Sequence, residues 1–508
     1  MLLNAHYGAV KAAVLTTSYP RFEGDAAGLF VADGVAAAYA ELAAFFDRFA
    51  RDEPRWRRRN RTYYRLLEQI HRFQIPEGAR VLEVGSGSGD LLASLRPSYG
   101  VGVDVSRGMV ALARSRHPEL RFELAAGEEL ELGETFDYIV LSDLMPFVQD
   151  LLALFQRLRE HSHERTRVVI HSYSRVWRPA VKLAEWLRLK PRKPLRNWVS
   201  PHDVRNLLEL SGFEVVTRSS RILFPKYVPL LTWFLNAVLA NVWPFHYLTL
   251  TYWLVARPAS RETRERSVSV VCAVRNEEGH IRELVARLPQ LGTASELIFV
   301  EGGSTDDTRG AIEREVERRP ELDISLLSQH GRGKGDAVRT GFAAAKNDVL
   351  MILDGDLSVR PEDLPKFYEA LARNRGELIN GSRLVYDMEP GSMRFFNVVG
   401  NKFFSMLFGA ITGQQAKDTL CGTKVLLRSD YERIAAARAY FGEFDPFGDF
   451  DLLFGAARLN LKIVDLPVRY QPRTYGETNI SRWSHGWLLL RMGAFALWKF
   501  KLAPYRRR

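Results

Sequence analysis

Leu350-Met-Ile-Leu-Asp-Gly-Asp356 runs four apolar residues into two carboxylates with one glycine between them. Such a run predicts a buried strand, and acids at its end lie on the carboxyl edge of a sheet, where parallel α/β folds bind ligands. Three upstream segments have the same form. The first ends Ala273-Val-Arg-Asn276-Glu277-Glu278 and the second Val300-Glu301-Gly-Gly-Ser-Thr-Asp306-Asp307-Thr308; the third is Gly331-Arg-Gly-Lys334-Gly-Asp-Ala-Val-Arg339. Each closes a strand or opens a helix, so all four gather along one edge. Asp354 and Asp356 together can hold a hard divalent ion, Mg or Mn, that bridges a diphosphate and offsets charge on a departing nucleoside diphosphate. The alternation of strand and helix starts at Ser267 and continues to about residue 381, which predicts a parallel sheet flanked by helices.

A second region of the same kind lies upstream. Val81-Leu-Glu83-Val-Gly85-Ser-Gly87-Ser-Gly89-Asp90 leaves a strand and opens a helix, and its glycines let backbone N–H groups approach a ligand. Val101-Gly-Val-Asp104 ends the next strand on a carboxylate placed to accept from ribose hydroxyls. Strands are predicted near 79–84, 99–104, 136–142, 166–170, 213–218 and 248–256, with a helix over 61–74. His161, His163 and His171 are possible bases in this half, but a lone histidine near a strand end is more often structural. The polar stretch from Arg257 to Arg266 is a linker. With no residue-level repeat between the halves, the chain is a fusion rather than a duplication. The expected division is a vestigial or docking segment at 1–40, a first domain at 41–256, a linker at 257–266, a second domain at 267–481 and a C-terminal helix at 482–508.

Bulk properties agree with two domains. A chain of 508 residues exceeds what one core supports. Two cysteines, Cys272 and Cys421, exclude a disulfide framework and a cysteine zinc site, and point to a reducing cytosolic setting. The net charge of +11 favours an anionic partner. No recognition motif supports nucleic acid in that role.

Residues 61–256 resemble a class I methyltransferase that uses S-adenosyl-L-methionine. The resemblance places Glu83, Gly85, Gly87, Gly89 and Asp104 around the methionine and ribose moieties, and Asp143 near the substrate mouth. Where the family carries an acid after the third strand this chain has Ala126, so either cofactor affinity is reduced or Glu128 substitutes. Residues 267–500 resemble family 2 glycosyltransferases of the type A fold, nearest in pattern to dolichol- and polyprenyl-phosphate sugar synthases. The fold class implied is α/β, with two Rossmann-like domains in tandem. That likeness puts Ala273, Asn276, Glu277, Glu301, Asp306 and Lys334 on the nucleotide-sugar side and metal on Asp354 and Asp356. It assigns Arg383, Arg469 and Arg473 to phosphate, Asp418–Lys424 to the acceptor-side loop, and Asp449 to the catalytic carboxylate. Departures are Glu301-Gly302 for the usual acidic pair, Ser358 for a glutamine, and Thr478-Asn479 for a Ser-Lys closing loop.

Two segments have membrane character. Ser392–Phe408 carries an aromatic face, and Trp483–Pro504 sets Trp487 and Trp498 beside a basic end. Tyr227–Ala256 lacks any charged residue, but Pro229, Asn236, Asn241, Pro244 and His246 interrupt it, so a hydrophobic helix or hairpin and then a core strand are expected rather than a span. The reading is a metal-dependent, inverting transferase that moves a sugar from a nucleotide donor to a lipid-linked acceptor, most simply a polyprenyl phosphate. It would lie peripherally at the cytoplasmic membrane face, with a partner domain that methylates. The alternative has a glycan hydroxyl as acceptor and the upstream domain as a non-catalytic docking module.

Overall fold

A computed structural model describes residues 25–187, 197, 199–260, 262–385, 395–438, 448–471, 475 and 482–505. Its first sheet comprises β1 Arg80–Val84, β2 Tyr99–Asp104, β3 Arg121–Leu124, β4 Phe136–Ser142, β5 Ser162–Tyr173, β6 Phe213–Arg221 and β7 Thr251–Pro258. They lie in the order β3-β2-β1-β4-β5-β7-β6, with β7 antiparallel to both neighbours. Because β1 pairs with β2 on one side and β4 on the other, chain direction across the sheet reverses at β1. Connections leaving β1 and β4 diverge there and open a crevice.

One long helix, Asp25–Arg59, runs through the expected boundary at residue 40. Residues 25–40 are therefore the start of an element that belongs to the first domain. Asp47 on this helix accepts from Ser106 Oγ at 2.5 Å and Gly108 N at 2.7 Å. The charge-free stretch divides as its prolines dictate: short helical turns over 231–248, then β7, buried along its whole length. No helix among the described residues is long and apolar enough to cross a membrane.

The second sheet comprises β8 Val268–Val274, β9 Ser295–Glu301, β10 Asp323–Ser328, β11 Val349–Asp354, β12 Leu378–Ser382, β13 Lys424–Leu427 and β14 Ile463–Pro467. The order is β10-β9-β8-β11-β13-β12-β14, with β13 antiparallel between β11 and β12. The insertion of β13 brings the segment before it, residues 418–423, across the end of β11. The helix Phe395–Thr412 buries Phe404, Phe408 and Ile411 in the core and leaves Phe403 and Met406 in solvent. The helix Arg482–Leu497 likewise buries Leu489 and Met492 while Trp487 and Leu490 face out.

The two sheets are joined by ions as well as apolar contacts. Arg167 on β5 donates through Nη2 to both oxygens of Glu377, at 2.6 and 2.8 Å, and through Nε to Asn460 O at 2.8 Å. Arg257 lies 3.2 Å from the same carboxylate and 2.6 Å from Glu214. Both arginines are fully buried. Phe73 packs on Phe500 at 5.7 Å, with Arg458 over its ring.

Candidate active sites

The upstream crevice holds a cavity of about 210 Å³. Glu83, Gly85, Gly87, Asp104 and Glu128 line it. Gly85, Gly87 and Gly89 all have positive φ, from 53° to 76°, a conformation that other residues resist, and the loop is tied down through Gly85 N and Ser86 N to Val103 O. Asp104 braces this loop: Oδ2 accepts from Gly87 N and Oδ1 from Ser106 N, both at 2.9 Å. Glu83 is buried and accepts from Leu92 N at 3.1 Å; burial pushes its carboxyl up to about 8. The helix Asp25–Arg59 covers the cavity with Tyr39, Phe46, Phe49 and Arg57.

Glu128 is occupied. Its carboxylate accepts from Tyr39 Oη at 2.7 and 2.8 Å and from the backbone N–H groups of Gln149 and Asp150. At the mouth, Asp143 accepts from Tyr63 Oη at 2.8 Å and lies 3.2 Å from His171 Nε2. His171 is wholly buried and stacked on Trp253. His161 is structural, set between Leu132 N and Arg157 O, and His163 faces Asp137.

Downstream, register brings three segments together. Asp354 at the end of β11 sits beside Ala273 on β8, which pairs in turn with Val300 on β9. Lys334, in the first turn of the helix Lys334–Ala344, forms an ion pair with Asp354. Gly422 crosses directly above it, and a Cβ there would collide with both Lys334 Nζ and Asp354 Oδ2. Burial alone would raise the Asp354 carboxyl, but Lys334, then Arg383 and Lys424, hold it below the usual range. Asp356, two residues on, accepts from Ser358 N at 3.1 Å.

Asp449 opens the helix Asp449–Arg458 after Gly448, whose φ of 75° and contact with Gly335 leave no room for a side chain. The fully buried Lys424 donates to Asp449 Oδ1 at 2.8 Å and to Cys421 O at 2.5 Å. Arg383 is also committed: Nε and Nη2 grip Asp418 at 2.7 and 2.9 Å, and Asn401 adds a bond of 2.6 Å. Against its burial, these partners lower Asp418 to about 2. Arg383 is thus a brace for the 418–424 loop as the structure stands, rather than an open phosphate ligand. Arg469 is exposed, and Arg473, Gly476, Thr478 and Asn479 lie outside the described residues.

On the nucleotide side, Asn276 has φ 58°, and its Oδ1 accepts from Thr305 N at 2.7 Å. Glu277 pairs with His280 at 2.9 Å, Glu301 accepts from Ser304 N at 2.5 Å, and Asp306 accepts from Glu278 N at 3.3 Å. Glu277 and Glu301 are buried, and each braces its own turn through a residue three positions on. Gly422 and Lys424 fall in the expected acceptor-side loop, but the pairing of Lys424 with Asp449 and the cover by Tyr39 were not anticipated from the sequence.

Residues 269–434 match the family model for glycosyl transferase family 2, and residues 55–218 match a methyltransferase domain. The chain joins a methyltransferase domain to a family 2 glycosyltransferase domain. Glycosyltransferase AglJ of Haloferax volcanii is 28% identical over 216 residues, covering 42% of this chain and 66% of that protein. The undecaprenyl-phosphate 4-deoxy-4-formamido-L-arabinose transferase of Sodalis glossinidius is 26% identical over 224 residues, covering 42% and 63%. The chain spans just under two thirds of the length of these curated relatives. Among solved structures, a possible histamine N-methyltransferase of Thermotoga maritima aligns over 43% of this chain and 100% of its own, at 17% identity and TM-score 0.34. Glucosyl-3-phosphoglycerate synthase of Mycobacterium tuberculosis, with uridine diphosphate, aligns over 46% and 80%, at 22% identity and TM-score 0.34.

Both domains have residues that suit their cofactors. In the glycosyltransferase domain, hard oxygen donors from Asp354 and Asp356 stand at one strand end, and an ammonium already rests on Asp354. Among the described residues no third acid, histidine or cysteine completes a metal cage. That set fits a divalent ion shared with a diphosphate. In the methyltransferase domain the Glu83 and Asp104 carboxylates and the aromatic cover of Phe46 and Phe49 line one cavity and suit an adenosyl ligand.

Proposed function

We propose that the glycosyltransferase domain transfers a sugar from a nucleotide-sugar donor to a polyprenyl phosphate at the cytoplasmic membrane face, and that the methyltransferase domain methylates the same glycan or its lipid from S-adenosyl-L-methionine. The observation that carries the acceptor is the ion pair between Lys424 and Asp449. A hydroxyl acceptor needs a carboxylate free to take its proton. Asp449 Oδ1 instead accepts a charge-assisted bond from an ammonium buried behind it, which ties this carboxylate to the 418–424 loop. A phosphate acceptor is ionised at neutral pH and needs only orientation and charge balance. Its oxygen attacks the anomeric carbon as the bond to the nucleoside diphosphate breaks, with inversion. Asp354 and Asp356 would hold the divalent ion that supplies positive charge to the leaving diphosphate. Lys334, one helical turn from the loop that crosses β11, adds a cation to the same side. The printed name of the Sodalis relative includes an undecaprenyl phosphate, which supports this acceptor class.

One observation favours a second reading of the methyltransferase domain as a binding module. Ala126 offers no acid to the adenine amine, and Glu128 is already bonded to Tyr39. The test for both is direct. The full chain, supplied with labelled nucleotide sugars, Mn and a polyprenyl phosphate in detergent, should yield an organic-soluble, acid-labile product. Strong turnover on a soluble oligosaccharide without lipid overturns the acceptor. Calorimetry showing no S-adenosyl-L-methionine binding below millimolar overturns methylation.

A further inference from the structure

The surface of the segment from Tyr227 to Leu248 is inverted relative to a water-facing one. Its polar side chains point inward. Asn236 is buried, accepting from Leu223 N and Phe224 N at 2.7 and 2.8 Å and donating to Phe224 O at 2.7 Å. Thr232 is tied to Lys226 O and Val228 N in the same way. Its apolar side chains point outward: Leu230 is 85% exposed, Trp243 75% and Tyr247 63%. No Asp, Glu, Lys or Arg interrupts it. Trp177 Nε1 donates to Leu248 O at 2.9 Å, linking the segment to the chain that leads into the helix Arg178–Trp186, where Leu183 and Trp186 are also exposed. Solvent-facing aromatic and leucine clusters of this extent mark an interaction surface.

Behind the segment stands an unbalanced pair of cations. Turn Phe234–Val238 packs on turn Trp498–Leu502 at the end of the glycosyltransferase domain. Lys501 in that turn and Arg221 at the end of β6 are both about nine-tenths buried or more. Arg221 Nε and Nη1 have no hydrogen-bond partner, and among the described residues no carboxylate pairs with either cation. Burial, then the Arg221 charge, push the Lys501 amine well below its usual range. Buried cations without an anion are costly, and an anionic ligand removes that cost.

We propose that residues 227–248 form a membrane-seating surface, with Arg221 and Lys501 as a receptor for the phosphate of an anionic lipid. The occupant follows from complementarity: an apolar apron with interfacial Trp and Tyr in front, and behind it an unpartnered guanidinium beside a buried amine that an anion would help to charge. The inference rests on the membrane placement proposed above and adds the surface that makes it.

Vesicle flotation of the full chain tests it without any transferase assay, so it can fail while the acceptor assignment stands. Wild type should bind vesicles of phosphatidylcholine with phosphatidylglycerol at least tenfold more tightly than phosphatidylcholine alone. Trp243→Glu should lose tenfold or more on both, with an unchanged melting temperature. Lys501→Met, which replaces a buried cation by an apolar chain of similar length, should abolish the anionic preference and leave neutral binding intact. Trp243→Glu binding as wild type overturns the apron. Lys501→Met retaining the preference overturns the receptor. Inorganic phosphate at millimolar concentration that raises the melting temperature of wild type but not of Lys501→Met, without any vesicle preference, assigns the pocket to a soluble anion and overturns the lipid.

Discussion

Arg167 and Glu377 are 210 residues apart and share a buried ion pair that fastens one sheet to the other. Arg257 closes on the same carboxylate, so one acid balances two guanidiniums. Removing it strands Arg167 and leaves Arg257 to Glu214.

Glu377→Ala should therefore destabilise the protein by about 3–5 kcal/mol, the range for breaking a buried pair by deleting one partner. Thermal unfolding should show the domains melting separately in the variant and together in wild type. The pH dependence has a definite sign. Against burial, Arg167 and then Arg257 hold Glu377 below the usual carboxylate range. Its contribution is fully present above the ordinary glutamate range and is lost as pH falls through the lowered value. The seam should loosen only below about pH 4, and melting curves recorded between pH 7 and pH 3 would show it.

Asp356→Asn should reduce glycosyl transfer by roughly two to four powers of ten without unfolding the chain, because a metal ligand is lost at constant volume. Full activity of wild type in chelator would remove the metal from the scheme.

Cofactor binding should depend on pH through Glu83. Its carboxyl, raised to about 8 by burial, is largely protonated at neutrality. The ammonium of a bound methionine moiety favours the ionised form, so binding releases a proton. Affinity should rise between pH 6.5 and 8.5, and calorimetry in buffers of different ionisation heat should detect the proton. Glu83→Gln should bind independently of pH. The stability effect runs oppositely: what the protonated form contributes is lost as pH rises through 8.

Asp449→Asn separates the two acceptors. With polyprenyl phosphate the variant should retain much of its rate, whereas a hydroxyl acceptor would cost two or more powers of ten for loss of the base. Arg473→Ala should cost most of the rate on the phosphate. Steady-state rates on the lipid substrate check both.

Strand-end chemistry was legible in the sequence because a strand has only one carboxyl end. Once Val81–Val84 and Leu350–Leu353 are strands, Gly85, Asp104, Asp354 and Asp356 can only gather at the sheet edges. Partnerships across distant segments were not legible. Lys424 meets Asp449 only because β13 inserts antiparallel between β11 and β12, a topology that no local pattern announces. Arg383 illustrates the same limit, since its neighbour Asp418 lies 35 positions away and takes the guanidinium that a phosphate was expected to hold. The helix Asp25–Arg59 was misjudged at its start for a different reason. An alanine-rich run shows little contrast between faces, and among its apolar residues Tyr39, Leu42, Phe46 and Phe49 mark the side that covers a cavity.

The ionic character of the seam has an evolutionary and practical consequence. An interface of leucines would aggregate if its halves were made apart, but guanidiniums and carboxylates hydrate readily when separated. Separated halves would hydrate these charges while losing the packing of Phe73 on Phe500. The connector between β7 and β8 both raises local concentration and adds to cohesion, since Arg264 pairs with Glu164 on one side and its N–H donates to Ala372 O on the other. A protease nick there should leave a particle of unchanged size, and two co-expressed halves should find each other.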